Sequence, residues 1–203
     1  MDGYRIVRLK AMLDQEGELA VKQHLSLFSC QINKDVEYFL RSRAIEFSKQ
    51  SIANTFLVYC PYKGSPVLTG YFTLTIKAFD IPSSTVSKSM AKKICKFGTY
   101  VKENKAYRIP APLIAQLGKN DRNGYNKLIS GDELLKMAID KIALALENLG
   151  GKLVYLECED IPYLLSFYES NGFVCFGERR LDREEEDRMK GKYLKQFLRI
   201  IST

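Results

Sequence analysis

The sequence is poor in the residues that catalytic and metal chemistry most often use. Its 203 residues hold one histidine, His24, in a polar N-terminal stretch without a nearby Cys, Asp or Glu cluster of metal-ligand spacing. Histidine-rich metal sites are thereby excluded, and a Ser/His/Asp hydrolase would have to hang on His24 alone. That residue is expected at the surface or at a helix end. The five cysteines (Cys30, Cys60, Cys95, Cys158, Cys175) are odd in number, widely spaced and never C-x-x-C. This excludes a disulfide framework and a zinc site, fits a reducing compartment, and leaves no metal expected. The two phosphate-loop signatures, G-x-x-x-x-G-K-[ST] and G-x-G-x-x-G, are both missing, so P-loop and Rossmann nucleotide binding fail on residues. No run approaches the roughly 18 consecutive apolar residues of a membrane span. The stretch from Met1 to Lys10 lacks the apolar centre of a signal peptide, so a cytoplasmic protein is expected.

What is present describes a globular chain. Hydrophobic residues make up 46% and charged residues 27%, enough for a real core, and the length suits one domain over residues 1–203. A formal net charge of +7 biases the surface toward polyanions such as nucleic acid or phosphate-bearing cofactors. The positive charge is concentrated: Lys88, Lys92, Lys93, Lys96, Lys102 and Lys105 fall in one segment, and Glu184 to Asp187 form an acidic run.

Hydrophobic periodicity orders the rest. Val36, Phe39, Leu40, Ala44 and Phe47 recur at three and four, predicting a helix within 31–50 that Asn33 caps. The β-branched and aromatic runs Thr55 to Cys60 and Leu68 to Phe79 predict a hairpin joined across Pro61 to Pro66. Alternation of Tyr71, Thr73 and Thr75 with Phe72, Leu74 and Ile76 predicts one buried face and one polar or ligand-facing one. Residues 80–106 read as a partly helical insertion, too short to own a core. Ile109 to Leu117 reads as a strand in which Pro110 and Pro112 leave one edge without donors, where the sheet is expected to open. Ser130 to Leu149 is the clearest helix, with Ser130 as cap, Asp132 and Glu133 in its first turn, and Gly150 and Gly151 as its stop. A strand at Leu153 to Cys158, a helix around Tyr163 to Ser170, a strand at Phe173 to Phe176 and, at Tyr193 to Ile201, most simply a closing strand with an amphipathic helix as the alternative complete a mixed α/β class.

A strand ending at Leu117, a polar loop and a capped helix start make a candidate anion site, because free amides and the macrodipole favour phosphate there. Gly131 carries no side chain to hold a pyrophosphate off the backbone. The segment Phe167, Tyr168, Gly172, Phe173, following the strand LVYLEC, resembles the helix-to-strand passage near the C-terminus of the GNAT acyltransferase superfamily. Phe28, Cys30, Phe39, Leu40, Gly70, Tyr71 and Phe72 are similar to the branch that includes aminoacyl-tRNA-acetylating toxins of toxin and antitoxin modules. The resemblance covers about residues 28–180. It implies a single mixed, mostly antiparallel sheet flanked by helices and splayed between the fourth and fifth strands.

It also implies an acetyl-CoA-dependent N-acetyltransferase acting on a primary amine, with aminoacyl-tRNA as the sharper acceptor. The pyrophosphate pattern [QR]-x-x-G-x-[GA] falls on Asn126, Lys127, Leu128, Ile129, Ser130 and Gly131. Only Gly131 matches strictly, with Asn126 in place of Gln/Arg, Ile129 in place of the first glycine, and Lys119 or Lys127 available for charge. Backbone amides around Leu117, Gly118 and Lys119 would polarise the acyl carbonyl. Tyr168 would be the general acid, and Glu157, or Glu159 beside it, the carboxylate for the amine proton. Cys158 and Cys175 read as small buried core residues. The implied partners are the amine acceptor, an antitoxin protein and a second copy of the chain. Two other readings stay open: acetylation of a small-molecule or protein amine, and a GNAT-like binding module that has lost catalysis.

Overall fold

The computed structural model describes residues 3–189 and 191–201. In chain order it forms β1 (Arg5–Arg8), α1 (Leu9–Glu16), α2 (Glu18–Leu25), α3 (Lys34–Tyr38), a π turn (Phe39–Arg43) and α4 (Ala44–Lys49). There follow β2 (Asn54–Tyr62), β3 (Ser65–Pro82), α5 (Lys88–Ile94), β4 (Thr99–Val101), β5 (Ala106–Lys119), a 3-10 segment (Arg122–Leu128) and α6 (Gly131–Leu149). The chain ends with β6 (Leu153–Glu159), α7 (Pro162–Ser170), β7 (Val174–Arg180), α8 (Arg183–Glu186) and β8 (Tyr193–Ile200). The eight strands make one mostly antiparallel sheet, ordered β1-β2-β3-β5-β6-β8-β7 with β4 paired to β5. Among the described residues no helix is long and apolar enough to cross a membrane.

The chain divides into two compact units: one runs up to Thr75 and takes in Ile114–Ile139, and the other holds Ile76–Leu113 and the chain from Asp140. In the first, the expected helix within 31–50 is present but in three pieces, with Val36, Leu40 and Ala44 on its buried face. Asn33 caps it as predicted, Oδ1 accepting from the amides of Asp35 (2.9 Å) and Val36 (3.1 Å). Before it lie β1, α1 and α2, which bury Leu9, Val21 and Leu25 completely and which hydrophobic periodicity left unassigned.

The hairpin is longer than expected. Its strands run through Pro61 and Pro66, which face each other in register, and reverse in two residues, Lys63 (φ 50°) and Gly64 (φ 82°). Positive φ at both positions is the turn geometry that matches strand twist, and glycine makes it cheap. The expected polar face of β3 is also corrected. Tyr71, Phe72 and Thr73 are all fully buried, and Ile76 is 69% exposed. A strand flanked on both sides and covered on both faces loses the alternation of a half-solvated one.

In the second unit β8 is a strand, as expected, but it lies between β6 and β7 rather than closing the sheet. β5 likewise has a neighbour on each side in strand order, so Pro110 and Pro112 sit in an interior strand rather than an edge strand. Phe79 stacks on Tyr155 at 4.0 Å between centroids and reaches Phe176 at 5.6 Å, forming an aromatic core. The segment 80–106 is partly helical, as expected, and holds α5 and β4, with its Ile81 and Ile94 fully buried.

Candidate active site

The nine residues expected to hold a cofactor lie along one connection of the first unit. Leu117, Gly118 and Lys119 end β5; Asn126, Lys127 and Leu128 lie in the 3-10 segment; Ile129 and Ser130 lead into α6 at Gly131. Gly118 is buried against Val36 and Tyr71, and a Cβ there would overlap the Val36 side chain. Lys119 Nζ donates to the Ile129 carbonyl at 3.2 Å and so draws the two ends of the connection together. Ile129 is 2% exposed, its side chain turned into the core. At the helix start Ser130 Oγ accepts from the Glu133 amide (3.1 Å), while Glu133 Oε2 accepts from the Ser130 amide and hydroxyl (both 2.8 Å). This is a capping box, local enough in sequence to be predicted from Ser130 and Glu133.

The loop is held by two residues to which the motifs gave no role. Asn120, 3% exposed, donates through Nδ2 to the Leu68 carbonyl (2.8 Å) and accepts at Oδ1 from the amides of Ser29 and Arg122 (both 3.1 Å). Asp121 accepts from the Gln31 amide (2.6 Å) and from Asn126 Nδ2 (2.8 Å). Asn126 is therefore engaged inside its own loop. The signal available in sequence was an Asn-Asp pair directly after a strand, which favours side-chain to backbone turns.

The donor set is partly that of an anion site. The Lys119 and Lys127 ammonium groups and the Gly131 turn suit a pyrophosphate, and Glu133 already occupies the Ser130 donors. The carboxyl of Glu133 is held below the usual range by its bonds to Ser130, so it stays ionised there. Of the expected donors, Ser130 is held by Glu133 and Lys119 by the Ile129 carbonyl.

The two expected catalytic side chains lie in the second unit, on opposite faces of β6. Tyr168, in the last turn of α7, is 8% exposed and packs its ring on Phe167 (5.0 Å), Phe173 (5.9 Å) and Phe197 (5.8 Å). Burial pushes its phenol well above the ordinary value, with the nearby Cys158 adding to the effect. The hydroxyl therefore keeps its proton at neutral pH. Phe197 pairs with Leu156 across the strands, and Gln196 pairs with Glu157. Because neighbours along a strand alternate in face, Glu157 points away from the side that holds Phe197 and Tyr168.

Glu157 is instead the centre of an ion network. Arg179 Nε donates to it at 2.8 Å, Lys77 Nζ lies 3.4 Å away, and the Tyr155 hydroxyl and Gln196 also donate to it. Arg179 then forks onto Glu185 of α8 at 2.8 and 2.7 Å. Burial alone would raise the carboxyl of Glu157, but the Tyr155 hydroxyl, Arg179 and Lys77 outweigh it and hold it below the usual range. A carboxylate so held is a poor proton acceptor. Glu159 is also buried, at 5% exposure.

Cys158 is buried and its thiol pushed up to about 12, first by desolvation, which fits the expected inert core residue. Cys175 departs from expectation: it is exposed, on the strand edge of β7. His24 ends α2 half-buried, its Nε2 bonded to the Tyr59 hydroxyl at 2.8 Å. No group of three or more metal-ligating side chains occurs among the described residues.

No protein-family model and no curated protein matches the sequence. Solved structures do match, and they define the class first: the open, mostly antiparallel sheet with flanking helices is the GNAT-like fold of bacterial toxins. The individual likenesses are to AtaT complexed with acetyl-methionyl-tRNAfMet (TM-score 0.61, 17% identity, 95% of this chain and 93% of that one). A tyrosine-to-phenylalanine mutant of KacT matches with TM-score 0.60 and 15% identity over 96% and 94% of the chains. AtaTR bound with AcCoA matches with TM-score 0.53 and 17% identity over 96% and 93%. At these identities the likeness is one of fold.

Proposed function

We propose that this protein is an acetyl-CoA-dependent N-acetyltransferase whose acceptor is the amine of an aminoacyl-tRNA. What carries the reading is the place of Tyr168: on a fold shared nearly end to end with AtaT, a phenol stands in the last turn of α7 with no hydrogen bond to its hydroxyl among the described residues. A group that retains its proton at neutral pH yet can hydrogen-bond a leaving thiolate is what a general acid for a thioester requires. The neighbours support the same direction, since one is AtaT with acetyl-methionyl-tRNAfMet and another is AtaTR with AcCoA. One was solved as AtaT bound to the C-terminus of the antitoxin AtaR, which supports an antitoxin as partner here as well.

Bound acetyl-CoA supplies an activated acetyl group; the remaining work belongs to the chain. Lys119, Lys127 and the Gly131 amide would hold its pyrophosphate, and the amides at Leu117 to Lys119 would polarise the acyl carbonyl. Tyr168 holds a proton at its hydroxyl for the departing sulfur. No carboxylate base is assigned: Glu157 is tied to Arg179 and lies on the other face of β6. An α-amine with a pKa of about 7.7–8 is neutral often enough near pH 8 to attack unaided.

The test is CoA release by purified protein given acetyl-CoA and either charged total tRNA or a panel of polyamines and peptides. Turnover confined to charged tRNA is expected. Turnover confined to small amines would move the function to metabolite or protein acetylation, and silence with every acceptor would overturn the enzyme reading.

A further inference from the structure

The segment from Ile81 to Lys102 carries five lysines and no carboxylate. Lys88, Lys92 and Lys96 are spaced by four, along and just past α5, and all three are exposed, as are Lys93, Lys102 and Lys105. Like charges at this spacing repel. None of the six is paired with a carboxylate among the described residues, whereas Arg108 close by is forked onto Asp80 at 2.8 Å. The lysines stand on a fixed frame. Ile94 is fully buried, Ser87 caps α5 by accepting from the Met90 amide (3.1 Å), and the Ser83 amide donates to the Lys105 carbonyl (2.9 Å).

Next in the chain are two aromatic rings on one face of a strand pair. Tyr100 of β4 and Tyr107 of β5 are directly opposite in register, with centroids 5.2 Å apart. Tyr100 is 44% exposed. Lys102 and Lys105 flank the turn that joins these strands. An acidic protein surface would use the lysines but has no need of an open tyrosine face. Unpaired bases stack on such a face, and their phosphates track a positive groove.

We infer that the lobe of residues 81–107 is a docking surface for single-stranded RNA, with Lys88, Lys92 and Lys96 on phosphates and Tyr100 stacked on a base. This rests on the aminoacyl-tRNA reading for the identity of the RNA, and it adds the place where the acceptor is held. It is read out by binding alone, so it stands or falls separately from acetyl transfer.

The experiment measures fluorescence anisotropy of the full chain with deacylated tRNA, a single-stranded oligonucleotide matching its 3′ end, a blunt RNA duplex and a polyglutamate peptide, across a salt series. The triple variant Lys88→Glu, Lys92→Glu, Lys96→Glu is expected to weaken binding of the single strand. Its dependence of log affinity on log salt should become shallower by about 2, at about 0.7 for each phosphate no longer neutralised. Tyr100→Ala is expected to weaken the single strand about 10-fold and Tyr100→Phe to restore it, because stacking needs the ring and not the hydroxyl. Thermal unfolding of these surface variants serves as the control for folding. Wild-type affinity and salt slope in the lysine variant would overturn the docking surface. Equal binding of duplex and single strand with no effect of Tyr100→Ala would overturn the single-strand assignment, and polyglutamate bound as tightly as RNA would overturn the nucleic-acid partner.

Discussion

Replacing Tyr168 by phenylalanine removes one oxygen and leaves the ring in place. The hydroxyl makes no hydrogen bond among the described residues, and the ring keeps Phe167, Phe173 and Phe197 at 5.0, 5.9 and 5.8 Å. Folding stability should therefore change by no more than about 0.5 kcal/mol, since neither a cavity nor an orphaned partner is created. The chemical effect is expected to be much larger. A positioned general acid contributes about 10²–10⁴-fold to rate. At about 1.36 kcal/mol per tenfold this is roughly 3–5 kcal/mol of the barrier, against near zero for folding. The assay is CoA thiol release at saturating charged tRNA, with acetyl-CoA varied. The expected result is a fall in kcat of at least about 100-fold with little change in KM for acetyl-CoA, the signature of an interaction made only in the transition state. A kcat within threefold of wild type would refute the reasoning and leave Tyr168 as packing. A large drop in Tm would refute it differently, by showing that the hydroxyl holds the fold.

Three further outcomes follow from the geometry. Arg179→Ala strands the Glu157 carboxylate, whose side chain is 8% exposed, and should cost about 3 kcal/mol in urea denaturation, Lys77 being left as a weaker partner; a loss under 1 kcal/mol would mean that the network is solvated. Because the folded-state carboxyl of Glu157 is depressed, its contribution is full above the ordinary glutamate value of 4.5 and is lost as pH falls through the lower folded value. Wild-type stability should therefore fall between neutral pH and pH about 3 more steeply than that of Glu157→Gln, and parallel curves would show that other carboxylates dominate. Gly118→Ala places a methyl on the Val36 side chain and should cost about 1–3 kcal/mol through overpacking. In combination with Val36→Ala the two costs should add to less than their sum, and simple additivity in a double-mutant cycle would reject the contact.

Much of the proposed machinery is legible in the chain itself, and the parts that are not share a cause. α6 and its Ser130 cap, the Asn33 cap and the run of α7 into Gly172 are built from interactions between residues three or four apart. Spacing in the chain reports such contacts directly, so the sequence alone placed the start of α6 and the helix that carries Tyr168. The role of Glu157 was not legible in this way. Its environment draws on residues 77, 155, 179 and 196, and Arg179 carries the network on to Glu185. Only the insertion of β8 between β6 and β7, with Gln196 opposite Glu157, decides that this carboxylate is anchored and turned away from Tyr168. Asn120 belongs to the same class, since its partners Leu68 and Ser29 lie 52 and 91 residues away. Periodicity and capping determined which segments are helices and strands and where their ends lie. Strand order and register, which depend on contacts between distant segments, determined which face each side chain occupies and therefore which of them can act together.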